Sequence, residues 1–211
     1  MVHKVVTALD ELPSSGSASQ DGDYHLDAKR KEEAHEVINN SDDEVFQTDL
    51  YDWYIDQGRA DRLLQIQSPY IITYLQRRML EDLAIADLLW RYHSQAHRPH
   101  DAAAVQLQLA KSDYTLTLDQ RIEYLSRAKA NASSYSSGLG RQNRQKLLRE
   151  VSDLLDVANI QHDLLQKLGD DRRIPADRKV EVLGELNGVI LPLDTVSKFS
   201  FSPSDISNVF E

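Results

Sequence analysis

A chain of 211 residues with 41% apolar content has the material to bury a core in one domain of ordinary size. Its net charge of −10 repels a phosphate backbone, which argues against nucleic acid as a partner, and the absence of cysteine excludes disulfides and thiolate metal sites. The best apolar run, Leu83 to Trp90, contains Asp87 and falls far short of the roughly 20 residues of a membrane span, and charges interrupt Met1 to Leu12 where a signal peptide needs apolar sequence.

The helical pattern is already running at the first residue, as in a piece of something larger. Val2, Val5, Val6, Leu9 and Leu12 recur at helical spacing and predict an amphipathic helix over 1–12. Residues 13–22, rich in Ser, Gly and Asp, predict a mobile loop. Residues 26–39 read as a charged helix carrying Ala28, Ala34, Val37 and Ile38. Ser41 and Glu44 fit a capping box, with Ser41 as N-cap and Asp42 and Asp43 in the first turn. Phe46, Leu50, Trp53 and Tyr54 form the stripe of that helix, and Gly58 ends it because a C′ residue takes left-handed geometry. A short helix follows, and Ser68-Pro69 predicts a restart with Ser as N-cap and Pro at N1, turning Ile71, Ile72 and Leu75 inward.

Residues 77–97 read as one helix, apolar on several sides through Met79, Leu80, Leu83, Leu88, Leu89 and Trp90, as an inner helix covered by neighbours must be. Pro99 breaks the chain, and Ala102, Ala103, Ala104 and Ala110 let a neighbour approach the next helix closely. Thr117 with Gln120 is a second capping box, followed by the stripe Leu118, Ile122, Leu125, Ala128 and Ala132 and a Ser/Gly loop over 133–140. Leu147, Val151, Leu154, Ala158, Gln161, Leu165 and Leu168 then follow the heptad rule, with Gln161 the one polar member. Such a helix runs on the order of 40 Å, and its short seam favours packing within its own chain over an intermolecular coiled coil. Gly169 is expected to stop it. Pro175 opens another helix with Val180, Leu183 and Leu186, which Gly188 ends. The alternation predicts an all-α fold, an irregular α-solenoid of stacked antiparallel helix pairs over 1–196, with 197–211 as a terminal segment.

Motifs of chemistry are missing: there is no H-E-x-x-H, no Walker A and no G-x-S-x-G. His93, His97 and His100 are the best metal candidate, yet they sit at a helix end without a fourth ligand and read as a surface cluster. Gly138-Leu139-Gly140 follows no strand and reads as a flexible helix entry. Arg141, Arg144, Lys146 and Arg149 form a basic face, either solvated or open to an acidic or phosphorylated segment. Asp49, Asp52, Asp56 and Asp61 have no His or Lys placed to work with them and read as solubilising charge. No catalytic, cofactor-binding or metal residue is therefore assigned.

Leu50-Tyr51-Asp52-Trp53-Tyr54, Ala60-Asp61-Arg62-Leu63-Leu64-Gln65, Ser68-Pro69-Tyr70, Asp87-Leu88-Leu89-Trp90-Arg91-Tyr92, Asp119 to Ala128 and Val157-Ala158-Asn159-Ile160-Gln161 stand in collinear order. Together they resemble the C-terminal α-solenoid of the large inner-ring scaffold nucleoporins, in a fungal-like form, over roughly residues 24 to 194. The resemblance implies a structural component of the nuclear pore complex at the nuclear envelope, with no enzymatic activity and no cofactor. It implies partners among the linker nucleoporins, including a Gly-Leu-Phe-Gly-repeat type, held through short segments in a large hetero-oligomeric assembly that supports nucleocytoplasmic transport. Membrane sensing belongs to the propeller half of such proteins, so no direct membrane contact is expected of this segment.

After about Thr195 the register fades. Phe199, Phe201, Ile206, Val209 and Phe210 are spaced by serines, as anchors of a docking peptide would be, native or joined from a linker nucleoporin; a further solenoid helix cut short fits equally. The competing reading of the whole is a coat-type or membrane-traffic solenoid assembling through helix–helix contacts. An enzyme with an unrecognised histidine or carboxylate site is the third.

Overall fold

A computed structural model describes residues 33–134, 141–172 and 174–199, together with Thr7 and Lys29. The expected helix over 1–12, the loop over 13–22, most of the Ser/Gly loop and the segment from 200 onward lie outside the described residues. Every regular element among the described residues is a helix. The chain divides into two units between Leu89 and Trp90.

In the first unit, helical residues 33–39 lead to α1 (Glu44–Asp56), a 3-10 helix (Ala60–Gln65), α2 (Ile71–Arg78) and the start of α3 (Leu83–Gln95). Leu50, Tyr51, Leu63, Ile71 and Leu75 are fully buried, and the Tyr51 and Tyr74 rings meet edge to face at 5.1 Å. Gly58 ends α1 at φ +67°, as expected; a Cβ there would touch nothing, so the backbone alone asks for glycine.

Three local expectations are corrected. The N-cap of α1 is Asp43, not Ser41: its extended backbone points Oδ1 at the amides of Val45 (2.9 Å) and Phe46 (3.1 Å), and Ser41 Oγ only accepts from the amide of Asp43. Ser68 does not cap α2, because its Oγ accepts from Tyr70 N and the helix opens at Ile71. Residues 77–97 are not one helix. α2 ends at Arg78, and Asp82 Oδ1 takes the amide of Ala84 to start α3. Leu80, in that turn, is 71% exposed.

The second unit continues with α4 (Pro99–Ala110), α5 (Leu118–Ser133), α6 (Arg141–Asp170), α7 (Ala176–Leu186) and α8 (Leu193–Phe199). Packing follows chain order: α4 on α5, α5 on α6, and α6 on α7 and α8. The inner helix is α4, buried at Ala102, Ala103, Val105, Gln106, Leu107, Leu109 and Ala110. Thr117 and Gln120 close the reciprocal capping box at α5. α6, about 45 Å long at 1.5 Å per residue, serves two cores. Val151, Leu155 and Ala158 pack with Leu118, Leu125 and Ala128, and Leu168 packs with Val182 and Leu186. Gly169 does not stop α6, which runs to Asp170. Val180 is 75% exposed, and Val182 takes the core position expected of it.

Candidate partner-binding surface

The segment 187–192 leaves α7 and enters α8, and its ends still bond into those helices through Asn187 N, Gly188 N and Pro192 O. Between them, side chains of α5 and α6 meet Gly188 O, Val189 O and Leu191 N. Gln161, fully buried in the α6 seam, donates from Nε2 to the carbonyls of Leu186 (2.7 Å) and Val189 (2.8 Å) and accepts at Oε1 from Leu191 N (2.9 Å). Arg121, 2% exposed, donates from Nε to Gly188 O (2.6 Å), from Nη1 to Ala110 O and Ser112 O, and from Nη2 to Tyr114 O. Its charge therefore sits on carbonyls at the negative end of α4. Burial lowers its pKa, and Asp113 pulls the other way. Asn187 O receives the first amide of α5, Leu118 N, at 2.8 Å.

On the elements this clamp joins, large apolar side chains are exposed. Ile160 (45% exposed) precedes Gln161, Val189 (49%) is tied to it, and Leu193 (56%) opens α8. Large exposed apolar side chains beside an immobilised backbone are what a docking peptide needs.

The other sequence candidates resolve as follows. His93 is buried in α3, edge-on to Tyr92, and its Nδ1 finds no hydrogen bond among the described residues; burial lowers its pKa, with Asp101 raising it and Arg98 lowering it further. His97 is exposed at φ 55°, and His100 is half-buried in the first turn of α4. Among the described residues no three His, Cys, Asp or Glu side chains gather as a metal site. Asp52 accepts from Tyr74 OH (2.5 Å) and from Arg78, a structural tie between α1 and α2; burial and the Asp52 hydrogen bond raise the Tyr74 pKa well above its ordinary value. Asp49 and Asp56 are exposed. Lys146 and Arg149 are exposed, Arg144 is half-buried, and the Arg141 side chain lies outside the described residues. Phe199 ends α8, but its side chain, like Phe201, Ile206, Val209 and Phe210, lies outside them too.

Sequence reasoning missed Arg121, although a signal existed. Leu118, Arg121, Leu125, Ala128 and Ala132 step by three and four, so an arginine stands in an apolar seam. Gln47 is the same case in the first unit: fully buried on α1, its Nε2 donates to the carbonyls of Ile38, Asn39 and Ser41.

Residues 1–198 match the family of non-repetitive/WGA-negative nucleoporins, in its C-terminal region. The chain belongs to this nucleoporin family. Nucleoporin NUP170 of Chaetomium thermophilum is 43% identical over all 211 residues, which make up 15% of that protein's length. NUP170 of Saccharomyces cerevisiae is 33% identical over 165 residues, 78% of this chain and 11% of that protein. The crystal structure of the Chaetomium thermophilum Nup170 C-terminal domain in complex with Nup145N superposes with a TM-score of 0.84 at 43% identity, covering 96% of this chain and 38% of that one. The all-α nucleoporin fold expected from the resemblance is thus the fold observed. No described helix of this nucleoporin segment is long and apolar enough to cross a membrane.

Proposed function

We propose that this chain is a stretch of the inner-ring scaffold of the nuclear pore complex, acting at the nuclear envelope to hold short segments of linker nucleoporins, including a Gly-Leu-Phe-Gly-repeat type. Its role is structural and supports nucleocytoplasmic transport; it carries out no chemistry. The observation that carries this reading is the likeness to a Nup170 C-terminal domain solved with Nup145N. The exposed apolar side chains of Ile160, Val189 and Leu193 support it, because a few buried anchors supply most of the affinity of such peptides. In this reading residues 197–211 are native sequence rather than a joined peptide, supported by the NUP170 alignment running through the whole chain. Phe199, Phe201, Ile206, Val209 and Phe210 are then proposed as the partner-binding anchors of this terminal segment.

Titration calorimetry of the 211-residue chain with a Nup145N fragment tests it. Saturable heat that Leu193→Asp and Val189→Asp weaken is the expected result. An absence of heat at high micromolar concentration, with the chain folded by circular dichroism, overturns it.

A further inference from the structure

We infer that Ser41 is a phosphorylation site for an acid-directed serine/threonine kinase, and that the phosphate acts on the joint between helical residues 33–39 and α1. Three observations meet there. The sequence reads Ser41-Asp42-Asp43-Glu44, placing carboxylates one, two and three residues after the hydroxyl. All three are exposed, and none is paired with a cation among the described residues. A kinase whose cleft is basic recognises such a run by charge complementarity. Because Asp43 has taken the capping role, Ser41 is left in the non-helical connection, partly exposed. Its Oγ accepts one long hydrogen bond, from Asp43 N at 3.3 Å, and its own hydrogen is donated to no described residue.

Several other described hydroxyls are placed differently. Those of Thr48, Ser94, Ser112, Ser133 and Ser197 donate to helix carbonyls three or four residues back. Ser68 is 6% exposed.

The step balances with ATP as co-reactant. Ser41 Oγ attacks the γ-phosphorus, the bond to the bridging oxygen of the β-phosphate breaks, ADP leaves, and the hydroxyl proton passes to the base of the kinase. The product dianion sits among three carboxylates, beside backbone held by two side chains. Gln47 Nε2 bonds the carbonyls of Ile38, Asn39 and Ser41, and Tyr70 OH bonds Asp42 O at 3.0 Å. Like-charge repulsion works against that arrangement and loosens the joint. This inference stands independently of which partner the scaffold holds.

The test incubates the 211-residue chain with casein kinase II and magnesium ATP and maps the product by tandem mass spectrometry. The expected result is one phosphate at Ser41, absent in Ser41→Ala and retained in Ser41→Thr. The initial rate falls roughly tenfold in Glu44→Gln, the worth of one charge-assisted contact. Amides of 38–47 then exchange faster in the phosphorylated chain. No incorporation, incorporation elsewhere, or indifference to Glu44→Gln overturns the site. A free peptide labelled where the folded chain is not overturns it as well, because the joint then denies access. Unchanged exchange over 38–47 overturns the effect on the joint.

Discussion

Replacing Gln161 by glutamate exchanges one amide nitrogen for oxygen at nearly constant volume, so no cavity confuses the result. The hydrogen bonds donated to Leu186 O at 2.7 Å and Val189 O at 2.8 Å are lost, while Oε1 can still accept from Leu191 N. Leu186 is fully buried, so its carbonyl bears the full penalty of an orphaned group, about 1–3 kcal/mol. Val189 is 49% exposed and recovers part of its loss from water. The carboxylate also faces carbonyl oxygens at the C-terminal, negative end of α7. Together these effects cost about 3 kcal/mol near neutral pH.

The sign with pH follows. Burial and the facing carbonyls raise the folded pKa of this glutamate, since its protonated form can donate to Leu186 O. A raised folded pKa means stability is fully present below the unfolded value and is lost as pH rises through the folded one. The deficit relative to the parent chain therefore shrinks on acidification. Hydrogen exchange read by mass spectrometry should show amides of 176–199 opening roughly a hundredfold faster at about pH 7, with 44–78 unchanged. The difference in thermal midpoint between variant and parent should narrow at about pH 5. Acceleration below roughly threefold, or a deficit that does not change with pH, would refute the clamp argument.

Arg121→Met should cost about 3–5 kcal/mol in urea unfolding, because four carbonyl contacts disappear at once, and Arg121→Lys should rescue little, since one ammonium cannot fan across the same oxygens. Asp43→Ala and Thr117→Ala should each lower stability by about 1 kcal/mol, whereas Ser41→Ala should cost a few tenths, a contrast that thermal melts can resolve. His93 is kept neutral by burial, so its contribution is fully present above about pH 6.5 and is lost as pH falls below that value. His93→Gln should flatten the acid limb of the melting curve; an unchanged limb would assign it to other groups.

Helix type and order were legible because the signals are local. The Thr117–Gln120 box, Gly58 and the seam of α6 each need only a few neighbouring residues to declare themselves. Boundaries failed where two local signals competed. Ser41 and Asp43 are both good caps, and only the backbone at Asp43, φ −85° and ψ 109°, decides between them. The turn between α2 and α3 was hidden because Met79 is buried there, 6% exposed, and so keeps the apolar pattern going through non-helical residues. Val180 and Val182 differ only in which side of α7 meets α6, which is a tertiary fact. The exposure of Ile160, Val189 and Leu193 was illegible for a similar reason. The turn that carries Val189 is held by Gln161, whose partners lie 25 to 30 positions away in sequence.

Gln47, Arg121 and Gln161 share one logic. Each occupies a seam position where an apolar residue would pack, and each satisfies the backbone of a neighbouring turn. Apolar seams alone leave register weakly defined, since a slip of one helical turn, about 5.4 Å, brings leucine against leucine again. Such a slip of α6 along α7 would carry Gln161 away from Leu186, Val189 and Leu191 and orphan buried groups on both sides. The polar clamp thus penalises the alternative register far more than it stabilises the native one over a hydrophobic equivalent. Under the proposed function, in which the surface holds peptide segments, this matters more than added stability. Val189, whose carbonyl is tied to Gln161, keeps its place against α6, so under the proposed function a segment docking there bears its own ordering cost and not that of the scaffold.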